Sequence, residues 1–311
     1  MEQAWAGQKI MVTGASGFLG SALRRRLVEA GAEVHGVSRF PRTSRTGHVQ
    51  WWNGDLTDIA FARRLVSEAR PHVVFHLSGM ASATPEVSAV LPTFHSLVTS
   101  MVNMLVAAYE TGCTRFVSAG SFTEPTPEKV IPSSPYAAAK SASSTYGRMF
   151  QKLYGLPVVT LRIFMTYGPG QNNNKLIPYI VRSLLQDQAP KLESGNQQID
   201  WVHVDDVTEG LLAAAKVPGI EGKTIDLGSG TLTPVKNVVE QAASFIGSRA
   251  EPVFGALPDR PLEIVRKANV ERSEELLGWR PAISLEEGLR RTVAWHREQF
   301  KQSSRFEAVQ H

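Results

Sequence analysis

The chain has 311 residues, 42% of them hydrophobic and 20% charged, an ordinary globular usage that excludes wholesale disorder and fibrous architecture. Its single cysteine, Cys113, permits neither an intrachain disulfide nor a zinc site of several thiolates. The balance of 33 Lys and Arg against 29 acids, a formal charge of +4, is too mild and too dispersed to argue for nucleic acid, though it favours attraction of a phosphorylated small molecule.

Lys9 to Thr13 reads as a short buried strand running through Gly14 into a helical pattern from Phe18 to about Ala30, closed by Gly31. Glu33 to Ser38 is the next strand, and Val73 to Leu77 another. A helix is expected from about Pro92 to Thr111, a strand over Arg115–Ser118, a helix over Ser134–Tyr154 and a strand over Pro157–Arg162. Strands alternating with long helices, and apolar along their whole length, predict an α/β fold, a Rossmann-type doubly wound parallel sheet. After about residue 170 the segments shorten and are broken by Gly and Pro, although Thr224–Leu227 still reads as a strand of the main sheet. The expected division is therefore a dinucleotide-binding domain over 1–170 that also receives roughly 200–228. A smaller, mostly helical substrate lobe takes 171–199 and 229–311. No apolar run is read as reaching the ~18 residues of a membrane span. The N-terminus shows no basic stretch followed by an apolar one. A cytoplasmic protein without membrane or nucleic-acid partners is expected.

Gly14-Ala15-Ser16-Gly17-Phe18-Leu19-Gly20 is a G-x-x-G-x-x-G loop between strand and helix. The first glycine allows the tight turn, the second the approach of a pyrophosphate, the third close helix–strand packing. Cofactor contacts are expected along this loop at Gly14, Ser16, Gly17, Phe18, Leu19 and Gly20. The second strand ends in Ser38-Arg39, with Arg42 and Arg45 nearby and no acid to accept from a ribose 2′-hydroxyl. A hydroxyl beside a guanidinium suits a 2′-phosphate, so NADP(H) is preferred and NAD(H) is the alternative.

Tyr136-Ala137-Ala138-Ala139-Lys140 is a Y-x-x-x-K at the start of a helix, which Ser133 and Ser134 are placed to cap and Pro135 to open. The i,i+4 spacing puts the phenol and the ammonium on one face. The ammonium is expected to lower the phenol's pKa, so that Tyr136 exchanges a proton with a carbinol oxygen while a nicotinamide exchanges hydride.

With these motifs in this order, the chain resembles an extended short-chain dehydrogenase/reductase of the NAD-dependent epimerase/dehydratase family, whose members mostly modify nucleotide-linked sugars. The resemblance extends through Gly54-Asp55-Leu56, His76-Leu77-Ser78-Gly79, Arg162 to Gly170 (similar to R-x-x-N-x-Y-G-P-G), Asp200 to Asp206 and Leu277-Gly278-Trp279-Arg280-Pro281. It implies cofactor contacts at Asp55, Leu56, Leu77, Ser78, Gly79, Tyr136 and Lys140. It also implies a catalytic hydroxyl after the fifth strand, at Ser121, with Ser118 as the rival, beside Tyr136 and Lys140. Substrate contacts are expected at Ser121, Tyr136, Asn174 and Arg260, and no metal. The chain departs from the family at Ile199, where an Arg usually grips the substrate diphosphate, at Met165 and at Leu97. Phe122-Thr123 stand where dehydratases carry an Asp-Glu pair, so 4,6-dehydration is discounted, and Glu124 is one place from a decarboxylase's Glu. The resemblance implies a 4-ketoreductase of a nucleotide-diphospho-4-keto-6-deoxyhexose, with an NAD-dependent 4-epimerase as the alternative and a non-catalytic dinucleotide sensor as a third reading. A homodimer joined through the helices near 92–111 and 134–154 is the family's expectation.

Overall fold

The computed structural model describes residues 5–42, 48–82, 84–125, 131–259 and 264–309, with side chains to residue 302. Arg45 and Arg260 lie outside the described residues.

In chain order, strand β1 (Lys9–Thr13) leads to helix α1 (Phe18–Glu29), then β2 (Glu33–Ser38), β3 (Val49–Asn53), α2 (Ile59–Ala69) and β4 (Val73–His76). A continuous helical run follows, with a 3₁₀ turn Val87–Ala89, α3 (Val90–Phe94), a π turn His95–Thr99 and α4 (Ser100–Thr111). Then come β5 (Arg115–Ser121), α5 (Pro135–Tyr154), β6 (Val158–Ile163), β7 (Met165–Tyr167), α6 (Leu176–Leu185), β8 (Gln198–His203) and α7 (Val204–Lys216). The chain ends with β9 (Thr224–Leu227), β10 (Leu232–Pro234), α8 (Val235–Ile246), α9 (Val270–Leu277) and α10 (Leu285–Val309). The expected strands all form. The Trp51-Trp52 strand β3 and helix α2, which Asp58 caps and whose Phe61, Leu65 and Val66 are buried at helical spacing, are not among the expected elements and are added by the structure.

The chain falls into two units. The first comprises 1–163, 208–227 and 270–279, and the second 164–207, 228–269 and 280–311. The first holds a seven-stranded sheet in the order β3-β2-β1-β4-β5-β6-β9, with every neighbouring pair parallel. The order reverses beside β1, the topological switch point at which open α/β sheets receive their ligands. Strands buried on both faces explain the uninterrupted apolar runs: Ile10, Met11, Val12, Val74, Phe75, Phe116 and Val117 are all wholly buried. One face carries an apolar cluster that packs α2 and α4 around Leu65, Met104, Leu105 and Phe116.

The run Val87–Thr111 is 25 residues long and, by length and composition, apolar enough to cross a membrane, which the sequence reading missed because Thr, Ser, His and Asn are scattered through it. Of its most apolar window 44% is buried within the fold.

The second unit holds a three-stranded sheet, β10-β8-β7, with β7 parallel and β10 antiparallel to β8. Its core joins Tyr167, Ile177, Val181, Trp201, Val239 and Leu289 from the sheet and helices α6, α8 and α10. Residues 200–203, grouped by sequence with the first domain, pair within this sheet.

Candidate active site

The glycine loop closes directly over the switch point. Gly14 has φ +67°, and a Cβ there would lie 3.0 Å from the Leu77 carbonyl and the Ser78 backbone. A Cβ on Gly20 would sit 2.1 Å from the Gly14 carbonyl oxygen, so α1 can begin this close to β1 only through glycine. Gly17 is the N-cap of α1 and supplies no side-chain acceptor. The first-turn N–H groups are left to an external anion, as a pyrophosphate site requires. Around this turn Thr13 acts as a hub that sequence reasoning missed. Its hydroxyl oxygen accepts from the backbone N–H groups of Leu77 (3.1 Å) and Ser78 (3.2 Å) and lies 3.1 Å from His76 Nδ1. The Thr13 hydroxyl itself donates to Ser78 Oγ at 3.1 Å. This ties the β1 and β4 ends together and fixes Leu77, Ser78 and Gly79 beside the loop.

The Ser16 and Ser38 hydroxyls are 3.3 Å apart, and Ser38 Oγ accepts the Phe40 N–H at 3.3 Å. Ser38 is buried, Arg39 and Arg42 are exposed, and no acid ends β2. Leu56 is buried and Asp55 exposed, with Asp55 Oδ1 accepting the Thr57 N–H at 2.9 Å. Asn103 on α4 donates to the carbonyls of Leu56 (2.9 Å) and Thr57 (3.0 Å), a clamp on this loop that sequence reasoning did not single out. These features fit a nicotinamide dinucleotide: an uncapped helix end, a cradle without Cβ atoms and hydroxyls lining its wall.

The second cluster lies at the end of β5 and the start of α5. Ser134 caps α5, accepting the Ala137 N–H at 3.2 Å, and Pro135 stands in the first turn, as the sequence predicts. One turn further on, Lys140 is buried and its Nζ donates to the Ala119 carbonyl of β5 at 2.7 Å. It lies 5.8 Å from the centre of the Tyr136 ring. Ser121 is also buried, its hydroxyl 2.8 Å from Thr123 Oγ1, and it acts on the Tyr136 phenol. Ser118, the rival, is committed elsewhere, 3.0 Å from Thr160 Oγ1 and 3.4 Å from the Val159 carbonyl.

The electrostatics differ from the sequence expectation. Burial pushes the Tyr136 phenol up to about 12, the Ser121 hydrogen bond pulls it down in part, and the Glu124 carboxylate raises it further. Burial brings Lys140 down to about 8 while Glu124 opposes the fall. The phenol is not depressed as the sequence suggests, because the cost of burying the phenolate outweighs any pull from the Lys140 charge. His76, behind Lys140, is held neutral, pushed down to about 3 by burial and by the Lys140 charge.

In the second unit, Ile199 packs with Leu192, Trp201 and Ile177 in the apolar core. Asp200, its neighbour on β8, is buried and accepts from Ser229 N (2.6 Å), Ser229 Oγ (2.8 Å), Gly230 N (3.0 Å) and Ala268 N (2.9 Å). It anchors two loops. Asn174 is exposed in an Asx turn, its N–H donating to Asn172 Oδ1 at 3.0 Å. Met165 is half-buried in β7, and Leu97 is buried on the π turn.

Residues 10–228 match the model of the NAD dependent epimerase/dehydratase family. The chain is 30% identical to a UDP-glucose 4-epimerase of Mycolicibacterium smegmatis, over 93% of this chain and 98% of that one. It is 27% identical to a dTDP-glucose 4,6-dehydratase of Xanthomonas campestris pv. campestris, over 92% of each. The solved structure of a Thermus thermophilus UDP-glucose 4-epimerase in complex with NAD superposes with a TM-score of 0.82 at 27% identity, covering 93% of this chain and 98% of that one. The chain is thus an enzyme of the extended short-chain dehydrogenase/reductase class, and it belongs to the NAD dependent epimerase/dehydratase family.

Proposed function

We infer that the protein is a nucleotide-sugar 4-epimerase, working through Ser121, Tyr136 and Lys140 on a nicotinamide dinucleotide. The observation that carries this is the convergence of the buried Ser121 and Lys140 on the end of β5, with Lys140 Nζ on the Ala119 carbonyl and 5.8 Å from the centre of the Tyr136 ring. The bound dinucleotide supplies the hydride acceptor and donor. Ser121 holds the sugar's C4 oxygen by hydrogen bond, and Tyr136 takes the proton of that oxygen and later returns it. Lys140 is assigned the positive charge beside the phenol that opposes the cost of forming its phenolate. Gly14, Ser16, Gly17, Phe18, Leu19 and Gly20 are assigned to the pyrophosphate side. Ser38 and Arg39, with Asp55, Leu56, Leu77, Ser78 and Gly79, are assigned to the rest of the cofactor. Asn174 and Arg260 are assigned to the substrate. The epimerase reading draws support from the 4-epimerases among the relatives and from the NAD held by the Thermus thermophilus enzyme.

A second reading, an NADPH-dependent 4-ketoreductase of a 4-keto-6-deoxy nucleotide sugar, is favoured by one observation: β2 ends in Ser38-Arg39 with no acid to repel a 2′-phosphate. A panel of nucleotide sugars separates the two. A C4 epimer forming without net change in reduced-nicotinamide absorbance supports the epimerase. Stoichiometric NADPH loss with a 4-keto substrate supports the reductase. No reaction with any member defeats both. We also assign a homodimer, built on the exposed apolar side chains Leu91, Phe94 and Tyr109 of the 87–111 run and Leu153 and Tyr154 of α5.

A further inference from the structure

Glu124 stands outside both motifs, three residues after Ser121, yet it is among the most buried carboxyl groups of the first unit, with 5% of its surface exposed. Its Oε1 accepts the Ser121 backbone N–H at 2.7 Å, while its own N–H donates to the Ser121 carbonyl at 3.1 Å. The side chain and backbone thus close a tight loop on both sides of Ser121. The chain makes room for it: a Cβ on Gly120 would stand 2.7 Å from Glu124 Oε1. A buried carboxylate is costly unless a compensating charge lies near. Among the described residues, its charge acts on Tyr136 and Lys140 from α5, and the Lys140 charge acts in turn on His76 from β4.

We propose that Glu124 is a positioning residue of the reaction assigned above, on which the inference rests: its carboxylate fixes the Ser121 end of the site through the backbone amide and, on the same β5 segment whose Ala119 carbonyl receives Lys140, is the counter-charge of the buried ammonium. The geometry provides the first half. Coulomb's law in a buried site provides the second, because an anion stabilises the ammonium and destabilises the phenolate. The carboxylate therefore favours the half of the assigned exchange in which Tyr136 returns its proton to the sugar oxygen over the half in which it takes it. Its Oε1 is held by the Ser121 backbone N–H, so it acts through Ser121 and the buried pair.

The test separates charge from geometry. Glu124→Gln keeps an oxygen for the Ser121 amide and removes the charge. Glu124→Asp keeps the charge and withdraws it by one methylene. In protein carrying ¹³C-labelled lysine, the Lys140 signal, assigned by its loss in Lys140→Met, is titrated in the absence of substrate. Glu124→Gln should lower the Lys140 midpoint by about one pH unit, roughly tenfold in proton affinity. Glu124→Asp should leave it closer to wild type while lowering turnover by about tenfold through the displaced Ser121. In Glu124→Gln the falling limb of the pH–rate profile should move to lower pH along with the Lys140 midpoint. An unmoved midpoint in Glu124→Gln overturns the proposal. Should Glu124→Gln fail to fold, a Glu124→Asp protein with wild-type turnover overturns it equally. Because the titration needs no nucleotide sugar, a wild type inactive on every sugar tried would defeat the assigned reaction while the Lys140 midpoint still reports on Glu124.

Discussion

Lys140 Nζ lies 2.7 Å from the carbonyl oxygen of Ala119, so the cation of the site also pins α5 to β5. This has a consequence for stability. Burial lowers the folded-state pKa of Lys140 to about 8, below its ordinary value of 10.5. Between these values the unfolded chain binds more protons than the folded one, so this group's contribution to stability rises with pH from about 8 to 10.5. Below that window the cost of burying the ammonium is present in full. In the cofactor-free protein, the stability difference between wild type and Lys140→Met should shift by about 3 kcal/mol across this range. Urea unfolding at several pH values measures it. A difference that stays flat would mean that Lys140 is not buried as an ammonium.

Tyr136→Phe removes only the phenolic oxygen. Turnover should fall by about 10²–10⁴-fold with little change in cofactor affinity. Ser121→Ala should lose about 10²-fold or more for want of its hydrogen bond to the reacting oxygen. Rapid-mix kinetics with fluorescence titration of the cofactor checks both. Near-normal turnover in Tyr136→Phe would remove the phenol from the chemistry.

The Ser16–Ser38 contact brings the glycine loop to the end of β2, where a ribose hydroxyl or a 2′-phosphate is told apart. Ser38→Asp places a carboxylate there. It should weaken NADPH by at least about tenfold, since a charge-assisted contact worth about 1.5–3 kcal/mol gives way to repulsion. NADH affinity should change far less. Equal losses for the two cofactors would place the adenosine ribose away from Ser38.

Ile199 stands where the family usually places an arginine, and restoring that arginine has the appeal of a repaired phosphate grip. The structure predicts otherwise. Ile199 is 6% exposed, among Leu192, Trp201 and Ile177. Ile199→Arg should cost about 3–5 kcal/mol, as an unpaired charge in an apolar core does. Thermal unfolding reads this directly. A stable variant with tighter nucleotide-diphosphate binding would show that the side chain turns out of the core.

Much of this was legible in the chain. Six of the seven strands of the main sheet announce themselves as apolar runs, because parallel strands are buried on both faces, while the edge strand β3, with exposed Gln50 and Asn53, does not. The glycine loop and the cap–proline start of α5 carry strong local signals for the same reason that they work, since each is a backbone demand met by particular residues. What the sequence did not carry was the environment of the charges. Y-x-x-x-K places Tyr136 and Lys140 together, but the burial that moves their pKa values in opposite directions depends on β4, β5 and Glu124, which converge only in three dimensions. Asp200 was legible as part of a motif, but its hold on the loops at 229–230 and 268 was not, because four donors reach it from residues 29 to 68 positions away. Thr13 and Asn103 were missed because a buried hydroxyl and a helical amide look ordinary until their partners are known.

The most direct measurement of the central claim is isotopic. A nucleotide sugar deuterated at C4, UDP-glucose first, is incubated with the cofactor-loaded enzyme, and the product is read by mass spectrometry and proton NMR. The account predicts an inverted C4 that keeps its deuterium, because hydride leaves and returns within one site, and no inversion in Tyr136→Phe. An inverted product that has lost deuterium to solvent, or inversion that survives in Tyr136→Phe, would contradict it.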